Sequence, residues 1–287
     1  LVGSEMCIRD SNKRGIPGYI FRSLDPKYPL FIVHSKIKKN KDKNQLISIK
    51  FTTWNKLDKF PKGELIDIFG EYNNLSSMEN ALIHLYQLDF KKMKLNNPIH
   101  INTNDRIEIS DKIYSIDPEG CKDIDDAFSL IQKEDTTIFK IHISDVYSVL
   151  YQNNIIESVN GYSSIYQSNQ TINMLHKVLS EDHCSLIEKK IRMMITLVVS
   201  LNGNQFEYKF YKSFGRITKN YSYDNVPKFI DRYYKSLSQL YKLITNNTIL
   251  IQDSHKFIEA LMIIYNKLFA ENQKNSGKKI IFRSQTE

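Results

Sequence analysis

The stretch SIDPEGCKDIDDAFSL, residues 115–130, sets Asp117, Asp123, Asp125 and Asp126 within ten residues of one another. Two unpaired carboxylates about 5 Å apart repel by roughly 3 kcal/mol at an effective dielectric of 20. With only Lys122 among them, the four either splay into water or are held together by a divalent cation. Ile116, Ile124, Ala127, Phe128 and Leu130 flank them, so the loop is pinned to a core and the second arrangement is favoured. Any fold for this chain must anchor an acidic loop on buried elements.

Calcium of the EF-hand kind is excluded by spacing. That loop needs D-x-[DN]-x-[DN]-G with a distal Glu. Counting from Asp117, Pro118 stands second, Glu119 third and Lys122 sixth. What remains suits a hard cation with open coordination positions, as in magnesium sites that also take a substrate phosphate. Such sites hold one ion, or two about 4 Å apart. The rest of the chain is cationic, with a net charge of +8 and a pI near 9.1. Cations that hold a polyanion around an acidic, metal-binding pocket form a coherent design.

A length of 287 residues allows about two domains, and 41% hydrophobic residues suffice for a core. Cys7, Cys121 and Cys184 are too few and too scattered for a disulfide framework or a cysteine zinc site, which implies a reducing, intracellular and cytoplasmic setting. The longest apolar run, MMITLVVSL (193–201), is too short to span a bilayer, and no membrane partner is expected. Residues 1–13 read as a non-native leader, and KKIIFRSQTE stops straight after a strand-like run, so the chain reads as a fragment clipped at both ends.

An α+β architecture is expected. GYIFRS, PLFIVHSKI, NQLISIKFTTW and PKGELIDIFG are β-branched, aromatic-rich runs between turn residues, and they predict a small OB-like β-barrel over 14–75. The Lys-rich KIKKNKDKN (36–44) reads as a solvated hairpin loop. SSMENALIHLYQLDFKKMKL switches to helical periodicity, capped by Ser76 or Ser77, with Ala81, Leu82, Leu85 and Leu88 as its apolar stripe. It predicts a connecting helix and linker over 76–105. From 106 to 287 an α+β domain follows, with strands at DAFSLI and FKIHISDVYSVL. It also has a hairpin turning at Asn202-Gly203, and a helix over 255–273 burying Phe257, Ile258, Leu261, Ile264, Tyr265 and Leu268.

IDPEGCKDIDDAFSL resembles the D-P-x-G-C-x-D-I-D-D-A signature of the RNase II/RNB exoribonucleases. SSIYQSNQTINMLHKVLSEDHCSL (163–186) is similar to that family's T-S-x-Y-L-P-x-x-x-I-P-M-L-P-x-x-L-S-x-x-x-C-S-L block. KSFGRITKNYSYDNV (212–226) and the helix with IIFRSQTE resemble later segments, and KFTTWNKLDKFPKGELIDIFG resembles the preceding cold-shock-type barrel. The resemblance implies a monomeric enzyme for 3′→5′ hydrolysis of single-stranded RNA to nucleoside 5′-monophosphates. It uses Mg²⁺, one or two ions, with Mn²⁺ as a substitute. By motif position Asp117, Asp123, Asp125 and Asp126 match the catalytic, metal-holding aspartates. Among these, Asp117 and Asp126 are expected as direct ligands and Asp125 as the least replaceable. Tyr166 falls where relatives stack an aromatic on the terminal base, and Arg283 grips a phosphate or pairs with an acid. The alternative is an inactive RNA-binding adaptor of the same fold.

Departures are visible. Ser168 and His176 stand where the block has proline, which loosens the loop presenting Tyr166. Gln285 replaces a usual His, and the S-P-x-R-R-Y-x-D segment is not reached by residue 287. Cys121, Cys184 and His142 read as packing or structural residues. Tyr221 and Tyr223 read as packing, and His176 and His183 lack the partners for zinc.

Overall fold

Short β-branched and aromatic runs, separated by Pro, Gly and Asn, form the first unit's strands. The computed structural model describes residues 2–11, 15–35, 44–88, 93–159, 161 and 163–277. The chain divides into two units, Leu1–Lys92 with Asn160–Met174, and Met93–Val159 with Leu175–Glu287. In the first unit, β1 (Val2–Ser11), β2 (Pro17–Ser23), β3 (Phe31–His34), β4 (Gln45–Thr53) and β5 (Lys62–Glu71) close a barrel in the order β1-β2-β3-β5-β4. Among the described residues of this barrel, β3 and β5 pair in parallel and the other strand pairs are antiparallel. This is the five-stranded OB topology, as the alternating runs predict. Phe21, Phe31, Val33, Ile47 and Ile49 form its core.

Residues 2–11, within the stretch read as a leader, form β1 and pair with β2 on one side and β4 on the other. Val2 is buried, and Gly3 lies so close to the Arg22 carbonyl that an added Cβ would sit 2.0 Å from its oxygen. Four strands could not close the barrel without them. The helix read as a connector, α1 (Leu75–Leu85), packs on the barrel, where Ala81 meets Val2 and Leu46. Its cap is Asn74, whose Oδ1 accepts the Ser77 amide at 3.0 Å. It buries Ser77, Ala81 and Ile83, while Leu82 and Leu85 are exposed, so the apolar stripe is rotated from the expected one.

In the second unit β6 (Ile107–Asp117), β7 (Asp126–Lys133) and β8 (Thr136–Ser144) lead into α2 (Val146–Gln152). After the short strands β9 (Ile165–Tyr166) and β10 (Thr171–Ile172), which belong to the first unit, the chain forms β11 (Ile191–Asn202) and β12 (Gln205–Ser222). The five long strands close a second barrel in the order β11-β12-β6-β7-β8. The β11–β12 turn is centred on Gly203 and Asn204, one residue beyond the expected pair, and Gly203 takes φ +53°. The helices α3 (Tyr234–Thr245) and α4 (Ser254–Asn275) cover the strand face that bears Phe128, Phe139, Ile141, Leu197 and Val199. All six apolar residues expected in the last helix are buried.

The opposite strand face is enclosed by the barrel and is partly polar. His142 is fully buried between Thr196 Oγ1 at 2.7 Å and Ser129 Oγ at 3.0 Å, and Thr196 meets Ser213 Oγ at 2.6 Å. Burial drives the His142 pKa down to about 3, with Lys140 adding to the effect. The ring is a neutral cross-brace, as expected of a structural residue. Among the described residues no helix is long and apolar enough to cross a membrane.

Candidate active site

Asp117 closes β6 and Asp126 opens β7, so two carboxylates are fixed by strands while Asp123 and Asp125 lie in the connection between them. The connection starts with a tight turn in which the Cys121 amide reaches the Pro118 carbonyl at 3.1 Å. Gly120 supplies the positive φ of +77° that this turn requires. Ser185, fully buried, straps the far end: its Oγ accepts the Ile124 amide at 2.9 Å and donates to the Lys122 carbonyl at 2.7 Å. Leu186 N–H donates to the Ile124 carbonyl and Ser144 N–H to the Asp125 carbonyl, both at 2.9 Å. Arg192 in turn holds the strap, donating from Nε to the Ser185 carbonyl at 2.7 Å and from Nη2 to Asp182 at 2.5 Å.

The backbone is therefore locked while the carboxylates are crowded. Burial pushes the Asp126 carboxyl up to about 7, and the charges of Asp117 and Asp125 add to it. Asp117 is raised by burial and by Asp125 and Asp123, although Ser115 Oγ donates to it at 2.7 Å. Asp125 keeps solvent contact and is raised by partial desolvation and by Asp123. Among the described residues none of the four forms an ion pair with Lys or Arg. No three His, Cys, Asp or Glu side chains among the described residues converge as a ready-made ligand group. The donor chemistry nonetheless fits a hard divalent cation: desolvated, mutually repelling carboxylate oxygens with no organic cation to neutralise them.

Tyr223 packs against the core, as expected, and it also belongs to this neighbourhood. Its amide donates to the Asp117 carbonyl at 3.2 Å, and its phenol is raised by burial and by the charges of Asp126 and Asp117. Its ring stacks on His255 with centroids 3.9 Å apart. Cys121 and Cys184 are poor nucleophiles, with thiols pushed up by burial to about 11 and about 12. Tyr166 is not in the aspartates' unit: it lies on the β9–β10 ribbon of the first unit, exposed. Arg283 lies outside the described residues, as does most of the Lys-rich 36–44 loop.

Asp126 makes stability depend on pH in a defined direction. Its folded pKa lies above the unfolded 3.8, so between about pH 4 and 7 the folded state holds a proton that the unfolded chain releases. Stability falls as pH rises through that window, by at most about 4 kcal/mol for a carboxyl moved from 3.8 to about 7. Asp126→Asn flattens this slope in EDTA and raises the thermal midpoint at pH 8. If these carboxylates hold a divalent cation, Mg²⁺ should raise the wild-type midpoint at pH 8 more than at pH 5, where protons compete. Equal slopes for both proteins in differential scanning fluorimetry would refute the assignment.

Comparison with known proteins agrees with this architecture. The RNB domain model matches residues 106–250, and the Dis3-like cold-shock domain 2 (CSD2) model matches residues 18–87. Ribonuclease R of Mycoplasmopsis pulmonis is 28% identical over 222 residues, covering 73% of this chain and 29% of that protein. Mycoplasma genitalium RNase R, solved with ribose-methylated single-stranded RNA, superposes with a TM-score of 0.75 at 19% identity, over 96% of this chain and 52% of that one. Yeast Ssd1, described as a pseudonuclease, superposes with a TM-score of 0.62 at 14% identity, over 93% and 39%. The chain thus spans about a third to a half of the length of these relatives. With the RNB model matched over half of its residues, and its acidic signature at the β6–β7 junction of the barrel, the chain belongs to the RNB domain family, behind an OB-like cold-shock domain.

Proposed function

We propose that the protein is a Mg²⁺-dependent 3′→5′ exoribonuclease that releases nucleoside 5′-monophosphates from single-stranded RNA, acting as a monomer in the cytoplasm. One observation carries this reading: the strand-fixed Asp117 and Asp126 are partly desolvated and solvent-facing Asp125 is crowded beside them, all three are raised, and no Lys or Arg among the described residues pairs with them, in a chain of net charge +8. Asp117, Asp123, Asp125 and Asp126 would hold one or two ions, Mg²⁺ or Mn²⁺, with strand-fixed Asp117 and Asp126 as direct ligands. A bound ion would supply Lewis-acid stabilisation of charge on the phosphate. The protein's own part is to fix the carboxylates through Ser185, Ser144 and Arg192, so that little reorganisation is left for the reaction. Exposed Tyr166 stacks on a base near the RNA end, which contributes about 1–3 kcal/mol and tolerates any base. Arg283 grips a phosphate.

The test is digestion of 5′-labelled and 3′-labelled single-stranded RNA with Mg²⁺ and with EDTA. A 3′ label should leave at once as mononucleotide, and a 5′ label should shorten stepwise, both only with metal. A second reading is an RNA-binding protein without turnover, favoured by the lack of three converging ligand side chains among the described residues. Salt-sensitive RNA binding with no shortening in Mg²⁺ or Mn²⁺ would establish that reading instead.

A further inference from the structure

The ribbon that carries Tyr166 cannot hold itself in place. It has two rungs, Tyr166 with Thr171 and Ile165 with Ile172, closed by the Gln167 amide on the Gln170 carbonyl at 2.9 Å. Isolated two-stranded ribbons are marginal even when longer. Its anchor comes from 89 residues earlier, on α1. Glu79 Oε1 accepts the Ser168 amide at 2.8 Å, and Oε2 accepts Ser168 Oγ at 3.2 Å. Next to it Gln167 Nε2 reaches Asn80 Oδ1 at 3.4 Å, and Ile172 lines a groove with Ile68, Phe69 and Ile83. All of these residues belong to the first unit.

We propose that Glu79 is a positioning residue for RNA binding: its two-oxygen grip on Ser168 holds the ribbon so that Tyr166, two residues away, presents its ring to a base. This rests on Tyr166 stacking on RNA, as proposed above. A proline at 168 would fix the backbone by its ring but would have neither N–H nor hydroxyl to donate. Ser168 instead donates both, and Glu79 takes both. The loop that loses a proline is thereby held by a carboxylate rather than left loose. The sign of the effect is diagnostic. Removing an anion from a surface that binds RNA should tighten binding by electrostatics alone, so a loss of affinity on removing Glu79 reports positioning.

The experiment measures affinity of the full chain for a fluorescein-labelled single-stranded oligoribonucleotide by anisotropy, in EDTA so that the probe stays intact. Tyr166→Ala should weaken binding about 5- to 150-fold, the range of one lost base stack. Glu79→Ala should weaken it about threefold to tenfold, the effect of losing a charge-assisted hydrogen bond in part. In a Tyr166→Ala background Glu79→Ala should cost nothing more, and Ser168→Pro should restore affinity to Glu79→Ala. If Tyr166→Ala binds like wild type, the stacking reading fails. If Tyr166→Ala is weak but Glu79→Ala is unchanged or tighter, or if its loss persists without Tyr166, stacking stands and positioning by Glu79 is overturned.

Discussion

Asp125→Asn is expected to lower mononucleotide release by about 10²–10³-fold, the scale seen when one charge-stabilising group is removed from a prepared site, while the thermal midpoint in EDTA stays equal or rises. The two outcomes follow from one geometry. The Asp125 backbone is held through its carbonyl by Ser144 N–H at 2.9 Å, a bond that the substitution leaves intact. Its side chain keeps solvent contact and forms no ion pair among the described residues, so Asn of the same size removes a repelling charge and no native bond. Lost activity with retained stability separates a chemical role from a structural one. The measurement is single-turnover release from 3′-labelled RNA at saturating enzyme, beside a melting curve of the same preparation. Activity within about threefold of wild type would remove Asp125 from the site. A lowered midpoint would mean that its carboxylate is structural.

Much of the fold is legible locally because the signals are local. The runs of β2 to β5 carry their own turn residues, and α4 repeats its apolar side every three or four positions, so both read directly. The acidic loop reads because charge crowding between apolar flanks has few physical outcomes. What did not read depends on partners distant in the chain. Strand β1 has no pattern that marks it, and only the pairing with β2 and β4 makes residues 2–11 a strand. The face that α1 buries is set by the barrel beneath it. Ser185 looks like any small polar residue until Ile124 and Lys122 come to it from 61 and 63 residues away. Tyr223 sits in an alternating stretch that suggests packing, and it acquires meaning only from the carboxylates folded beside it. The family resemblance supplies the one sequence signal that spans these separations, because its signature holds the DIDDA segment and its later block the CSL segment.

Arg106→Met is expected to destabilise the protein by about 3–5 kcal/mol at pH 7, the cost of stranding one member of a buried ion pair. The Arg106 and Asp145 side chains are 1% and 7% exposed and meet at 2.6 Å. Arg106 Nη1 also donates to the Met194 and Ser213 carbonyls, both at 3.3 Å, and Asp145 accepts the Ser148 amide at 3.1 Å to cap α2. Burial alone would raise the Asp145 carboxyl, but hydrogen bonds from Arg106 and Ser148 hold it below its usual value. In the wild type that stabilisation is therefore lost only as pH falls below about 4. Without Arg106 the burial effect dominates, so the variant's Asp145 gains from protonation and the stability gap narrows on acidification. Urea denaturation at pH 7 and pH 4.5 tests both sign and size. Arg106→Met/Asp145→Asn should recover part of the loss, because the stranded charge is gone. A loss below about 1 kcal/mol, or a gap that widens at pH 4.5, would show that the pair is not the brace inferred here. The consequence reaches the acidic loop: Asp145 follows Ser144, whose amide holds the Asp125 carbonyl, and the Asp145 amide itself bonds the Met193 carbonyl at 3.0 Å. A chain that keeps Arg106 thus keeps the strand end on which the Asp125 carbonyl is hung.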